Sequence, residues 1–125
     1  MALPGATRSI AYLEKTMKEI RAIVRPSRIE RLRDALRAIP NFPGVTLFKA
    51  EGFTAPAAVD KRTVKHELTD FSDKIMLSVL AEDDMVPLIR EAIIESCRTG
   101  TIGDGLVWVV DIGEMHRIRD RSVYG

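Results

Sequence analysis

Thr99-Gly100-Thr101-Ile102-Gly103-Asp104-Gly105, running straight into Leu106-Val107-Trp108-Val109-Val110, is the stretch that decides how this chain is read. Three glycines fall in seven residues, between a segment with helical spacing and a run of β-formers. Glycine reaches positive φ cheaply and lets another group approach the backbone with no Cβ in the way. Such a loop can turn several N–H groups toward one anion, as phosphate-binding concavities do. The same residues also read as a helix C-cap at Gly100 and a Gly-Asp-Gly turn into a strand. The spacing matches neither the Walker pattern nor the dinucleotide fingerprint.

Immediately upstream, Val86, Ile89, Ile93 and Cys97 recur at helical offsets, and Ile94 broadens the stripe. Asp83-Asp84 offers this helix an N-cap, with negative charge at the positive end of its dipole. Before it, Phe71 to Leu80 has β character, with Ile75, Leu77 and Val79 at alternate positions, the period of a strand. From Thr54 to Asp70 the pattern disappears into an Ala-rich stretch and the charged runs Asp60-Lys61-Arg62 and Lys65-His66-Glu67. A patternless loop this long inside a small domain is uncommon and usually functional or disordered. Val45 to Glu51 supplies the strand on its other side, closed by Gly52-Phe53.

Toward the N-terminus, Ile29, Leu32, Ala35, Leu36 and Ile39 share one helical face, and Pro40 with Pro43-Gly44 ends the helix. Ser27 and Glu30, three residues apart after Pro26, form the capping-box pattern. Met17 to Arg25 places Ile20, Ala22 and Val24 on one side of a half-buried strand. The predicted order is βαββαβ. That is an α+β ferredoxin-like fold: an antiparallel four-stranded sheet with two helices on one face. The uncovered face carries β-branched residues, so it is expected to pack on other subunits.

At 125 residues the chain is one domain large enough for a core without staples. Hydrophobic residues are 46% and charged ones 30%, a globular mix. A net charge of +1 provides no bulk field for nucleic acid or a membrane surface, so no nucleic-acid partner is expected. The single cysteine, Cys97, sits on an apolar helical face, reads as a small core hydrophobe, and suits a reducing cytoplasm. No apolar run approaches the length of a membrane span, and residues 1–16 lack a secretory core and read as an extension.

The glycine signature, the strand after it and Arg117-Ile118-Arg119 resemble the carboxy-terminal signature of P-II signal-transduction proteins. Met17-Lys18-Glu19-Ile20 through Arg25-Pro26 resembles that family's amino terminus, which makes residues 17–125 the expected domain. Val45-Thr46 and Glu51-Gly52-Phe53 resemble the strand leading into its long regulatory loop, here 54–70. Asp70-Phe71, Lys74 and Asp83-Asp84 continue the match. The resemblance implies a homotrimer with adenine nucleotide in clefts between neighbours. It implies phosphate contacts from Gly103, Asp104, Gly105, Arg117 and Arg119, since backbone amides and guanidinium forks both suit phosphate oxygens. Ile23, Thr46, Gly52, Phe53, Thr54, Lys74 and Leu80 match positions lining the cleft or the base of the loop, with Ile23 and Leu80 facing the adenine.

The sequence also departs from the family pattern. Leu106 stands where a lysine usually meets the phosphate tail, which predicts that ADP or AMP is favoured over ATP. The Gly-Phe-Gly entrance to the loop is Gly52-Phe53-Thr54, and the glutamine that helps hold magnesium and 2-oxoglutarate is Pro56. The loop has no tyrosine to uridylylate, and Ser78 replaces a common acidic residue. The resemblance thus implies a non-enzymatic regulator, coupled through 54–70 to a partner such as a membrane transporter, in nitrogen metabolism or in carbon uptake with bicarbonate as a second ligand. Other readings are a metal-efflux-associated relative, a metal-binding module using His66, Glu67 and His116, or a small phosphate-ester hydrolase.

Overall fold

The computed structural model of the chain describes residues 16–53 and 71–124. The expected loop 54–70 and nearly all of the expected extension therefore lie outside the described residues. The elements are β1 (Met17–Val24), α1 (Ile29–Arg37), β2 (Thr46–Gly52), β3 (Ser72–Glu82), α2 (Val86–Cys97) and β4 (Gly105–Asp111). A two-stranded ribbon follows, β5 (Met115–His116) paired with β6 (Val123–Tyr124). The main sheet has the order β2-β3-β1-β4 with every pair antiparallel, which is the expected ferredoxin-like arrangement. Among the described residues, no helix is long and apolar enough to cross a membrane.

Register decides which side chains meet the helices. Ile20, Ala22 and Val24 of β1 alternate with Leu77, Val79 and Ala81 of β3 on one face, all buried. Leu32 and Leu36 of α1, Ile39 beyond it, and Val86, Ile89, Ile93 and Cys97 of α2 close the same core. Burial raises the Cys97 thiol above its ordinary pKa, in keeping with a small apolar core residue.

Among the described residues, no helix lies on the other face. Across it Phe48 pairs with Met76, Met76 with Ile23, and Ile23 with Leu106, an apolar row spanning all four strands. The next row is Thr46, Ser78, Arg21 and Trp108. Here Glu19 accepts a hydrogen bond from the Ser78 hydroxyl at 2.7 Å and pairs with Arg21 at 2.9 Å. Arg21 first, then Ser78, lowers the Glu19 pKa. A carboxylate thus reaches the neighbourhood of Ser78 from the adjacent strand.

Both helix starts differ from expectation. Pro26–Arg28 and Asp83–Met85 are 3-10 turns, and neither turn nor helix is capped by a side chain. Ser27 lies inside the first turn, closed by the Arg28 N–H on the Arg25 carbonyl at 3.0 Å, so it cannot take the extended backbone of a cap. The Asp83 carboxylate instead accepts from the Thr16 hydroxyl and lies 3.7 Å from the Lys18 ammonium. The far end of α2 is also different: Arg98, not Gly100, is its C-cap.

Candidate functional site: two clefts at opposite ends of the sheet

The glycine loop meets the sheet where β1 ends. Val24 pairs with Gly105, whose φ of 107° is open to glycine and strained for other residues. A Cβ at Gly105 would lie 1.7 Å from the Ile23 carbonyl oxygen, so close backbone packing also demands glycine here. Asp104 folds back over the loop. Its Oδ2 accepts from the backbone N–H of Thr99 and of Gly100, each at 2.8 Å, and its Oδ1 from the Thr99 hydroxyl. Arg25 reaches in from the end of β1, with Nε 3.4 Å from Asp104 Oδ1 and Nη2 donating to the Ile102 carbonyl. Desolvation opposes ionisation of Asp104, but the Thr99, Gly100 and Arg25 donors outweigh it and hold the carboxyl well below the usual range.

Beside this loop opens a cleft of ≈ 490 Å³. Ile102, Gly103 and Gly105 form one wall, Ile23 and Leu106 the floor, and Gly52, Phe53 and Lys74 the opposite wall. Phe53 also meets Phe71 edge to face, ring centroids 5.0 Å apart. Gly52 pairs with Ser72, so the strands on either side of residues 54–70 end side by side, with Gly52 and Phe53 at the cleft. Asp104 does not line this cleft; it faces a smaller cavity of ≈ 140 Å³ behind the loop, with Cys97 and Arg98.

A second cleft, of ≈ 550 Å³, lies at the other end of the sheet. Its lining includes Met17, Leu80, Glu82, Met115, His116 and Arg117. The β5–β6 ribbon builds this wall, with the Arg117 N–H on the Ser122 carbonyl at 2.7 Å. His116 Nε2 lies 2.6 Å from Glu114 Oε1, and that hydrogen bond raises the imidazole pKa.

The candidate residues therefore separate. Ile23, Gly52, Phe53, Lys74, Gly103 and Gly105 share the first cleft; Leu80 and Arg117 lie in the second. Thr46 is exposed at the start of β2, and Arg119 is exposed in the ribbon's turn, 3.7 Å from Asp120. Neither lines either cleft, and Thr54 is outside the described residues. His66 and Glu67 are outside as well, so the metal-module reading rests on His116 alone among the described residues. Sequence reasoning missed Arg25, which follows the last β1–β4 pair, Val24 with Gly105, and shows its role only through spatial contacts with the loop. It also missed the ribbon, whose strands are too short for periodicity.

A family model described as "Nitrogen regulatory protein P-II" matches residues 17–122. A "Nitrogen regulatory protein P-II" from Porphyra purpurea is 36% identical over 108 residues, 86% of this chain and 96% of the relative. "Nitrogen regulatory protein P-II 1" of Escherichia coli K12 is 32% identical over 104 residues, 82% of this chain and 92% of that protein. The crystal structure of Arabidopsis thaliana PII bound to citrate superposes with a TM-score of 0.70 at 30% identity, covering 86% of this chain and 85% of that one.

Proposed function

This chain belongs to the nitrogen regulatory protein P-II family, and from that premise we propose that it senses adenine nucleotide between copies of itself and reports to a partner protein. ADP or AMP is the preferred ligand, the assembly is a homotrimer, and loop 54–70 carries the signal. The observation that carries this reading is the separation of the candidate residues into two clefts at opposite ends of one protomer. One end offers the glycine loop, an apolar floor and Lys74; the other offers Arg117 and Leu80. Neither holds the full set a nucleotide needs. Apposing the two ends from neighbouring copies completes it, with backbone donors on one wall and a guanidinium on the other.

The open sheet face supplies a reason for copies to associate, because among the described residues no element of the protomer covers its apolar row. Occupancy is passed on through Phe53, which lines the first cleft and packs on Phe71 at the other root of the loop. A nucleotide that favours one arrangement of this pair by a few kcal/mol is sufficient to bias the loop. The role is regulatory rather than enzymatic. The citrate on the Arabidopsis relative supports a small anion, such as bicarbonate, as a second ligand.

The test is calorimetric titration of ADP against wild type and Arg117→Ala. The expected loss is about 1.5–3 kcal/mol, the scale of a hydrogen bond to a charged group. Unchanged affinity in an intact oligomer removes the second cleft from the site.

A further inference from the structure

The loop proposed to accept a phosphate has a carboxylate at its centre. Gly103 and Gly105 line the cleft, and the residue between them is acidic. Left facing the cleft, that charge would repel the ligand the flanking glycines are placed to receive. Instead the Asp104 side chain points into the cavity behind, anchored by Thr99, Gly100 and Arg25. Arg25 is the group in this set that also carries compensating charge. It binds three points of the loop at once: Nη2 donates to the Ile102 carbonyl and lies 3.4 Å from Thr101 Oγ1, while Nε faces Asp104. Its Nη2 also fills the space beneath Gly103, 2.8 Å from where a Cβ would stand.

Resting on the nucleotide reading above, we propose that Arg25 is the positioning residue of the phosphate-binding loop. It holds the Ile102 carbonyl and the Asp104 carboxylate on the side away from the cleft, leaving the Gly103–Gly105 backbone to the ligand. Arg25 does not line the cleft, so its effect passes through the loop and through the charge of Asp104.

Two readouts on the full chain test this. In the ligand-free protein, Arg25→Ala is expected to speed amide exchange at 99–106 at least tenfold while leaving β1 and β3 protected. In ADP titrations Arg25→Ala loses at least tenfold in affinity, Arg25→Lys recovers part of it, and adding Asp104→Asn to Arg25→Ala recovers part by removing the uncompensated charge. Unchanged exchange at 99–106 overturns the proposal. So does faster exchange with undiminished ADP affinity, or failure of both Arg25→Lys and the double variant to recover any. A wild type that binds no ADP defeats the nucleotide reading instead, and the exchange measurement still decides whether Arg25 holds the loop.

Discussion

The two faces of the four-stranded sheet come from the same strands, one residue apart, and meet opposite surroundings. Leu77 and Val79 of β3 are fully buried under the helices, while Met76 and Ser78, which alternate with them, look the other way. On that open face Phe48 is 50% exposed and Leu106 71% exposed. A single protomer does not need these side chains for its core. Their exposure is what the proposed association of copies would cover, whereas the helix-facing set accounts for the fold.

Substitution separates the two faces most strongly at neighbouring rows. Leu77→Ala is expected to cost about 3–5 kcal/mol in urea unfolding, the range for a fully buried leucine that leaves a cavity. Phe48→Ala removes a larger side chain from the open face. It is expected to leave the helix-facing core folded, read by far-ultraviolet circular dichroism, and to shift the mass seen by light scattering toward the protomer. An unchanged mass after dilution to micromolar concentration would break the comparison, because the open face would then not be the association surface.

The next largest effect is expected where the faces meet the glycine loop. Gly105→Ala puts a Cβ 1.7 Å from the Ile23 carbonyl at a φ of 107°, so the backbone of β1 or β4 must move. We expect a loss of about 2–3 kcal/mol in thermal unfolding, the scale of a forced backbone outlier. Gly103→Ala meets the end of the flexible Arg25 side chain instead, and its cost is expected to be smaller. Equal costs would mean that the loop, not its junction with β1, carries the constraint.

Much of this was legible in the sequence, and the reasons differ by element. Period-two alternation at Ile20, Ala22 and Val24, and period-3.6 spacing at Val86, Ile89, Ile93 and Cys97, report directly on a single buried face. The helix starts were misread because Ser27 and the Asp83-Asp84 pair satisfy a local rule that the chain does not use. Each falls in a 3-10 turn, and tertiary partners such as Thr16 and Lys18 claim Asp83. The candidate site was legible as a set of residues but not as two clefts. No spacing rule says that Arg117 and Gly103 lie at opposite ends of one sheet; strand register does. Arg25 was invisible for a similar reason, since its role depends on what lies opposite it in space.

Leu106 belongs to both halves of the comparison, and the smallest predicted effect turns on which of them governs it. It ends the apolar row of Phe48, Met76 and Ile23, and it also lines the cleft beside the glycine loop. An apolar side chain offers nothing to a γ-phosphate, whose extra charge must be paired or left solvated. The backbone of Gly103–Gly105 and Lys74 remain for the inner phosphates. ADP or AMP is therefore expected to bind at least as tightly as ATP, and Leu106→Lys to improve ATP several-fold with little change for AMP. That gain corresponds to about 1 kcal/mol, modest because the charge pair is partly exposed. Parallel titration of the three nucleotides against both proteins measures it, with light scattering to show whether the lysine disturbs assembly. If the gain appears and assembly holds, the cleft governs Leu106. If assembly weakens and nucleotide preference is unmoved, Leu106 belongs to the open face. A wild type that already prefers ATP strongly means that another cation reaches the tail, and Lys74 in the same cleft is the first to replace.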